Sequence, residues 1–248
     1  MAWFLTKPLL LKLISKPLTM KTPLLPQNRL KYCSFLLLTV LSLGVLSCKK
    51  DDIVSDEKVK GEAKIKVINA SPAVSTLDFY LDSSKVNSNV LLYGVDHDYI
   101  KIHSGEVSAL FSKNGTVGAT STINFVPSMS YTSFYVEDRT GTGSMVTLED
   151  NFGATNAGMA RIRIVNLSPN FSNTVNVSTT NDLIISTLAF KEVSTNISFN
   201  PDVDLRFSII GSSIARTISA KEFEAGKTYT VWIGGTSNST ISLNKITY

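Results

Sequence analysis

Cysteine and histidine are scarce in this chain, and their scarcity excludes whole classes of protein. The 248 residues contain two cysteines, Cys33 and Cys48, and two histidines. Both cysteines lie in the first fifth of the sequence, so the remainder can form neither a disulfide framework nor a thiolate metal site. The nucleophile elbow Gly-x-Ser-x-Gly, the His-Glu-x-x-His zinc motif and the phosphate-binding loop are also missing. The sequence therefore predicts no catalytic residue, no cofactor and no metal.

The excess of positive charge is confined to the beginning of the chain. Residues 1–47 carry six of the 24 basic side chains and no acidic one, which leaves 24 − 6 = 18 basic against 20 acidic residues in the rest. Nucleic-acid-binding proteins normally show a basic excess or stripe. The main part of the chain has no such excess, so we expect no nucleic-acid partner.

An export signal is predicted over residues 1–47. An apolar run from Phe35 to Val45 follows a basic segment, and it is too short to span a bilayer comfortably. Residues 1–19 have no clear role and are interpreted as an over-long start, with Met20 as the alternative initiator. The run ends in Val45-Leu-Ser-Cys48, which resembles a bacterial lipobox. This resemblance implies that Cys48 is lipidated and anchors the mature protein in a membrane.

Residues 48–62 are predicted to form the lipidated cysteine and a flexible tether, because this charged segment has little apolar surface to bury. Lys50-Asp51-Asp52 resembles the surface-export signal of lipoproteins from the Bacteroidetes group. The resemblance implies an outer-membrane lipoprotein exposed at the cell surface. A plain solvated charge run is the alternative interpretation.

The rest of the sequence is organised around a ten-residue segment that occurs twice. Ala63-Lys-Ile-Lys-Val-Ile-Asn-Ala-Ser-Pro72 returns as Ala160-Arg-Ile-Arg-Ile-Val-Asn-Leu-Ser-Pro169. Each copy alternates polar and apolar residues and ends in proline, which is typical of a half-buried strand that runs into a turn. Further matches follow at a similar offset, including Tyr131 with Tyr229. We therefore predict a duplicated domain, with repeat 1 at 63–150, a linker at 151–158 and repeat 2 at 159–248.

Short strands separated by turn signals fill both repeats, and no long segment has a helical period. Asn114-Gly115 predicts a tight hairpin. The residues Val203, Leu205, Phe207 and Ile209 alternate with polar ones and predict a core face. These patterns predict an all-β protein made of two tandem immunoglobulin-like antiparallel β-sandwiches.

Several residue patterns resemble the bacterial domain-of-unknown-function 4397 family. They are the strand that ends in Asn-x-Ser-Pro, the strand Leu77-Asp-Phe-Tyr, a tyrosine before a turn, and the closing segment Ala225–Val231. The resemblance covers about residues 63–248 as two copies. It implies a secreted or membrane-anchored protein, and the family has no assigned catalytic residues to transfer.

Two clusters are candidate sites. Trp232 and the equivalent Phe134 lie opposite the tyrosine face of their strands, so they are predicted binding residues that could stack on a sugar or a protein side chain. Burial between the two domains is the alternative. Asp96, His97 and Asp98, with His103 nearby, could hold a cation, although a polar turn explains them more simply. Lys64, Lys66, Arg161 and Arg163 are predicted to face outward.

These features predict a lipid-anchored cell-envelope protein that acts as a non-catalytic binding or structural module. The alternatives are a glycan-binding surface lipoprotein of a polysaccharide uptake system and a metal-dependent hydrolase that uses Asp96, His97 and Asp98. A glycan or a protein is the expected partner, besides the membrane.

Overall fold

The computed structural model describes residues 61–237 and 239–248, and in these residues the protein is all-β. It has sixteen strands and a single turn of 3-10 helix at Ala220–Glu222. No helix in this part of the chain has the length and apolar character needed to cross a bilayer. The predicted all-β sandwich architecture is confirmed.

Repeat 1 contributes eight strands in two sheets. One sheet has the order β4-β1-β7-β8 and the other the order β3-β2-β5-β6. The strands are β1 (Glu62–Asn69), β2 (Leu77–Leu81), β3 (Ser84–Lys85), β4 (Ile100–His103), β5 (Gly105–Lys113), β6 (Thr116–Phe125), β7 (Ser130–Glu137) and β8 (Gly143–Glu149). Their facing sides enclose a core that includes Ile65, Phe79, Phe111 and Tyr131.

Repeat 2 has the same plan, strand for strand. Its sheets have the orders β12-β9-β15-β16 and β11-β10-β13-β14. The strands are β9 (Ala160–Asn166), β10 (Val175–Ser178), β11 (Leu183–Leu188), β12 (Ile197–Phe199), β13 (Leu205–Ile209), β14 (Ala215–Ile218), β15 (Thr228–Ser237) and β16 (Thr240–Thr247). A second core encloses residues such as Ile162, Phe207 and Tyr229. Among the described strands, none of repeat 1 pairs with one of repeat 2.

One pairing in each repeat departs from the antiparallel prediction. Strand β1 runs parallel to β7, and β9 runs parallel to β15, while the remaining pairs are antiparallel. The signature strand therefore lies in the middle of its sheet, where both of its edges are hydrogen-bonded.

Two local predictions are confirmed. Strands β5 and β6 form a hairpin around Asn114 and Gly115, whose φ angles of 50° and 80° suit the mirror-image turn that such hairpins favour. In β13, Leu205, Phe207 and Ile209 are buried and Arg206 is exposed. The predicted register of this strand is therefore correct.

A third apolar cluster lies between the two sandwiches. We call it the junction cluster. It contains Ile68, Ala70, Phe134 and Val136 from repeat 1, and Val165, Leu167, Trp232 and Ile246 from repeat 2. The sheets that carry β1 and β9 thus bury apolar side chains on both faces. One face of each sheet covers the core of its own repeat, and the second face packs against the other repeat.

Candidate functional site

The asparagine of the signature is a structural hub in both repeats. Asn69 is fully buried, and its side-chain amide donates to the carbonyl oxygens of Val74 (2.9 Å) and Leu91 (3.2 Å). Its carbonyl oxygen accepts from the Ser71 backbone N–H at 3.0 Å. Asn166 makes the equivalent bond to Ser168 at 3.1 Å. An asparagine that bonds the backbone two residues on closes an Asx turn, so the motif Asn-x-Ser-Pro shapes the turn after the strand.

A buried carboxylate completes this turn in repeat 1. Glu137 accepts hydrogen bonds from Ser71 Oγ (2.8 Å), Lys113 Nζ (2.6 Å) and Tyr135 OH (3.0 Å). Burial acts to raise the pKa of Glu137, but these three donors outweigh it and hold the pKa below its usual value. Burial, together with the bond to this carboxylate, raises the pKa of the Tyr135 phenol.

Repeat 2 lacks that network. Gly235 occupies the position equivalent to Glu137, and the hydroxyl of Ser168 has no hydrogen-bond partner although the residue is only 2% exposed. The two otherwise equivalent turns therefore differ in polarity.

The predicted binding residues Trp232 and Phe134 are buried, with exposures of 1% and 0%. Both belong to the junction cluster, where their ring centroids are 6.2 Å apart in an edge-to-face arrangement. Tyr93 also packs edge-on against the tryptophan, with ring centroids 6.0 Å apart. The stacking-platform interpretation is wrong for both residues, because the second face of each strand packs against the other repeat and not against solvent.

Two of the four basic residues predicted to face outward are also buried. Lys66 and Arg163 occupy equivalent positions of the signature strands and are 8% and 6% exposed. Each has an aspartate partner: Lys66 Nζ lies 2.6 Å from Asp96, and Arg163 lies 2.8 Å from Asp150. Lys64 is exposed, as predicted.

Asp150, just before the predicted linker, joins the repeats through several polar contacts. Its carboxylate accepts from Arg163 and Tyr248 of repeat 2 and from Tyr99 (2.8 Å) and Thr132 (2.7 Å) of repeat 1. Burial and the neighbouring carboxylate raise the pKa of Tyr248 to about 12 and that of Tyr99 still further. Both phenols therefore remain neutral hydrogen-bond donors at physiological pH.

Asp96, His97 and Asp98 do not form the catalytic cluster that the hydrolase alternative requires. Asp96 is engaged with Lys66, and both aspartates are exposed. Over residues 61–237 and 239–248, no group of three or more acidic, histidine or cysteine side chains could hold a metal ion. Cys48 lies outside the described residues.

A cleft of about 430 Å³ lies where the repeats meet, beside the Ser-Pro turn of repeat 2. Arg139, in the turn between β7 and β8, reaches across to that turn and donates to the carbonyl oxygens of Pro169 and Phe171, at 2.6 Å each. Polar lining comes from both repeats, and it consists of Asp138, Arg139, Thr140, Asn166, Ser168, Asn173 and Thr174. Its apolar lining includes Pro169, Phe171, Ala189 and Phe190. We call it the junction cleft.

The residues of this cleft were not predicted from the sequence. Ser168 and Pro169 belong to the repeated signature, but the sequence does not show that Asp138 and Arg139 meet them. The available signal was the turn-forming segment Asp138-Arg-Thr-Gly141, which follows the strand at Tyr131. Its equivalent in repeat 2 contains no charged residue, so the position of Arg139 is particular to repeat 1.

Three comparisons relate this chain to known proteins. No curated protein sequence matches this chain. A solved structure that matches is a carbohydrate-binding module of family 26 from Eubacterium rectale Amy13K in complex with maltoheptaose. The two share 10% identity over 75% of this chain and 96% of that chain, and the TM-score of 0.23 is too low to support a functional conclusion. The model of a domain of unknown function, DUF4397, matches residues 63–177, and this match supports the resemblance to that family.

Proposed function

We propose that the protein is a lipid-anchored cell-envelope protein whose two joined sandwiches act as a non-catalytic binding or structural module. The lipid anchor at Cys48 and exposure at the outer-membrane surface rest on the sequence motifs around that cysteine. The match to DUF4397 supports the family, and we propose that both repeats are copies of its domain, since their strand orders are identical.

The observation that carries the module proposal is the buried junction between the repeats. An apolar cluster and the Asp150–Arg163 ion pair join them, and the side chains of that pair are 1% and 8% exposed. Domains joined by a small polar contact move relative to each other by default, whereas a buried apolar contact holds them in one arrangement. Such a rigid pair is suited to presenting a fixed surface to a partner.

The hydrolase, and glycan binding on an exposed aromatic platform, are less well supported by the geometry. The hydrolase has no assembled site, as described above. The glycan-binding alternative loses Trp232 and Phe134 as a platform, and no aromatic side chain in the described residues is fully exposed. A sugar site would therefore have to use an aromatic ring that is only partly accessible.

Membrane fractionation tests the anchoring. Replacement of Cys48 by serine removes the thiol that would carry the lipid, so Cys48→Ser should release the protein from the membrane fraction or block its processing. Cys33→Ser is the matched control, because it changes the other cysteine of the chain and should leave the distribution unaltered. Unchanged membrane attachment of Cys48→Ser would show that the anchor proposal is wrong.

Surface exposure needs a separate experiment. Protease added to intact cells should degrade the wild-type protein if it faces outward, while a periplasmic marker remains intact. Protection of the protein in intact cells, with degradation after lysis, would place it on the inner side and contradict surface display.

A further inference from the structure

The junction cleft lies at the opposite end of β1 from Gly61. Gly61 precedes β1, and the Ser-Pro turns follow β1 and β9 at their far ends. A strand of the length of β1 spans about 25 Å. The cleft therefore lies about one strand length from Gly61.

Three polar groups in the junction cleft have unused hydrogen-bonding capacity. Asp138 accepts from Thr140 and from the Thr142 N–H through Oδ1 alone, which leaves Oδ2 available. Asn173 accepts through Oδ1 from Thr174, which leaves its amide N–H groups available. The third is the buried hydroxyl of Ser168, without a partner in the described residues. Asp138 and Asn173 thus offer an acceptor and a donor to a ligand, while the Ser168 hydroxyl is buried in the lining.

The cationic groups around the junction cleft are already engaged. Arg139 is held by two backbone carbonyls, and Lys191 donates to Ser144 at 3.2 Å. Hydrogen bonds from Thr140 and Thr142, with the positive charge of Lys191, lower the pKa of Asp138, so its carboxylate is ionised at neutral pH. The Asp138 anion thus faces two cations, Arg139 and Lys191, that already have partners. This arrangement favours a neutral ligand over a strongly charged one.

An aromatic ring borders the same space. Phe190 is half-buried and lines the junction cleft, and the Lys191 ammonium lies 5.2 Å from the centre of its ring. The ring also packs against the junction cluster, so the part of it that lines the cleft is what remains for an apolar contact. A ring beside separate donors and acceptors suits a ligand that has both C–H and hydroxyl groups.

We propose that the junction cleft binds a neutral saccharide, with Asp138 and Asn173 bonding its hydroxyl groups and Phe190 contacting its C–H face. This inference rests on the proposed function, since it names the ligand class and the site of the binding module. The cleft volume falls in the range of about 300–1,000 Å³ typical of small-molecule sites, which accommodates one or two sugar rings.

The experiment uses the full chain purified in detergent and saturation-transfer NMR with a panel of disaccharides. The panel contains neutral members (cellobiose, maltose, xylobiose and mannobiose) and an acidic one (digalacturonate). We expect at least one neutral disaccharide to bind, and Asp138→Asn and Asn173→Ala each to weaken that binding about tenfold, as expected for loss of one hydrogen bond to a polar group. Asp202→Asn, the same charge change at an exposed turn, should bind like the wild type.

Each contrary outcome overturns a defined part of the inference. Binding that both cleft variants retain would place the sugar site elsewhere, and preference for digalacturonate would refute a neutral ligand. Absence of binding across the panel would refute the saccharide class. None of these outcomes alters the fractionation of Cys48→Ser, so failure of the saccharide site and failure of the anchored module remain distinguishable.

Discussion

Truncation of Trp232 tests the buried junction most directly. Burial of a tryptophan removes about 150–250 Å² from water, which at about 25 cal/mol per Å² corresponds to about 4–6 kcal/mol as an upper bound. Trp232 is 1% exposed and lies between Tyr93 and Phe134. We therefore expect Trp232→Ala to lower the free energy of unfolding by about 3–5 kcal/mol, as for other buried aromatic residues.

Urea unfolding of the full chain, followed by circular dichroism, measures this loss. Val117→Ala is the control, because Val117 is also apolar but is 72% exposed, and surface substitutions usually change stability by less than about 0.5 kcal/mol. A loss for Trp232→Ala as small as that of the control would refute the buried position. It would also restore the exposed-platform interpretation.

Tryptophan fluorescence gives an independent check. The chain has two tryptophans, Trp3 and Trp232, and Trp3 lies in the predicted signal segment. After removal of that segment, Trp232 alone would report on the junction. Phe134→Ala should shift its emission to longer wavelength and increase quenching by acrylamide. The double variant should show a coupling energy of about 0.5–1.5 kcal/mol between the two rings, and strict additivity would contradict their contact.

Three further predictions concern other parts of the structure. Phe207→Ala should destabilise the protein by about 3–5 kcal/mol in urea melts while Arg206→Ala is nearly silent, and equal effects would mean that the register of β13 is off by one residue. The lowered pKa of Glu137 means that its carboxylate stabilises the fold at pH values above the pKa of the unfolded state. This contribution is lost as the pH falls through the pKa of the folded state. Glu137→Gln should therefore flatten the dependence of stability on pH below pH 4.5, the usual pKa of a glutamate. Arg163→Met should lower the free energy of unfolding by about 3–5 kcal/mol, because the buried carboxylate of Asp150 is left uncompensated. Arg161→Met, at a more exposed position, should cost clearly less. Similar losses for the two variants would refute the role of the ion pair.

The sequence was sufficient for the elements that depend on local pattern. Alternation placed Phe207 inward and Arg206 outward, and Asn114-Gly115 marked a hairpin, because strand period and turn conformation are properties of a few neighbouring residues. The matching signatures also anticipated two similar halves, which have the same strand order in the structure.

The contact between the halves could not be predicted in the same way. Alternation separates the two faces of a strand but does not identify what covers the second face. It therefore left Trp232 open between ligand binding and burial at the domain contact, and it predicted that Arg163 faces outward. One signal was available: strand β15 begins Thr-Tyr-Thr-Val-Trp-Ile-Gly-Gly without a charged residue, and such a run is typical of a strand that is buried on both faces. The charge of Arg163 indicated an exposed position, which is wrong. Its partner Asp150 lies in the other repeat, so the sequence pattern around Arg163 does not show the ion pair.

The composition of the junction cluster has a consequence for how the repeats could exist apart. Ile68 and Val165 occupy equivalent positions in the two copies, as do Phe134 and Trp232, so each copy contributes the same surface to the contact. A contact made by one surface on both sides is the arrangement found in homodimers with two-fold symmetry. A gene that encoded one repeat would produce a protein with this apolar surface uncovered, and self-association would be its simplest means of covering it. Duplication within one gene would then fix the pairing permanently and allow the two sides to diverge, as the phenylalanine and the tryptophan have done.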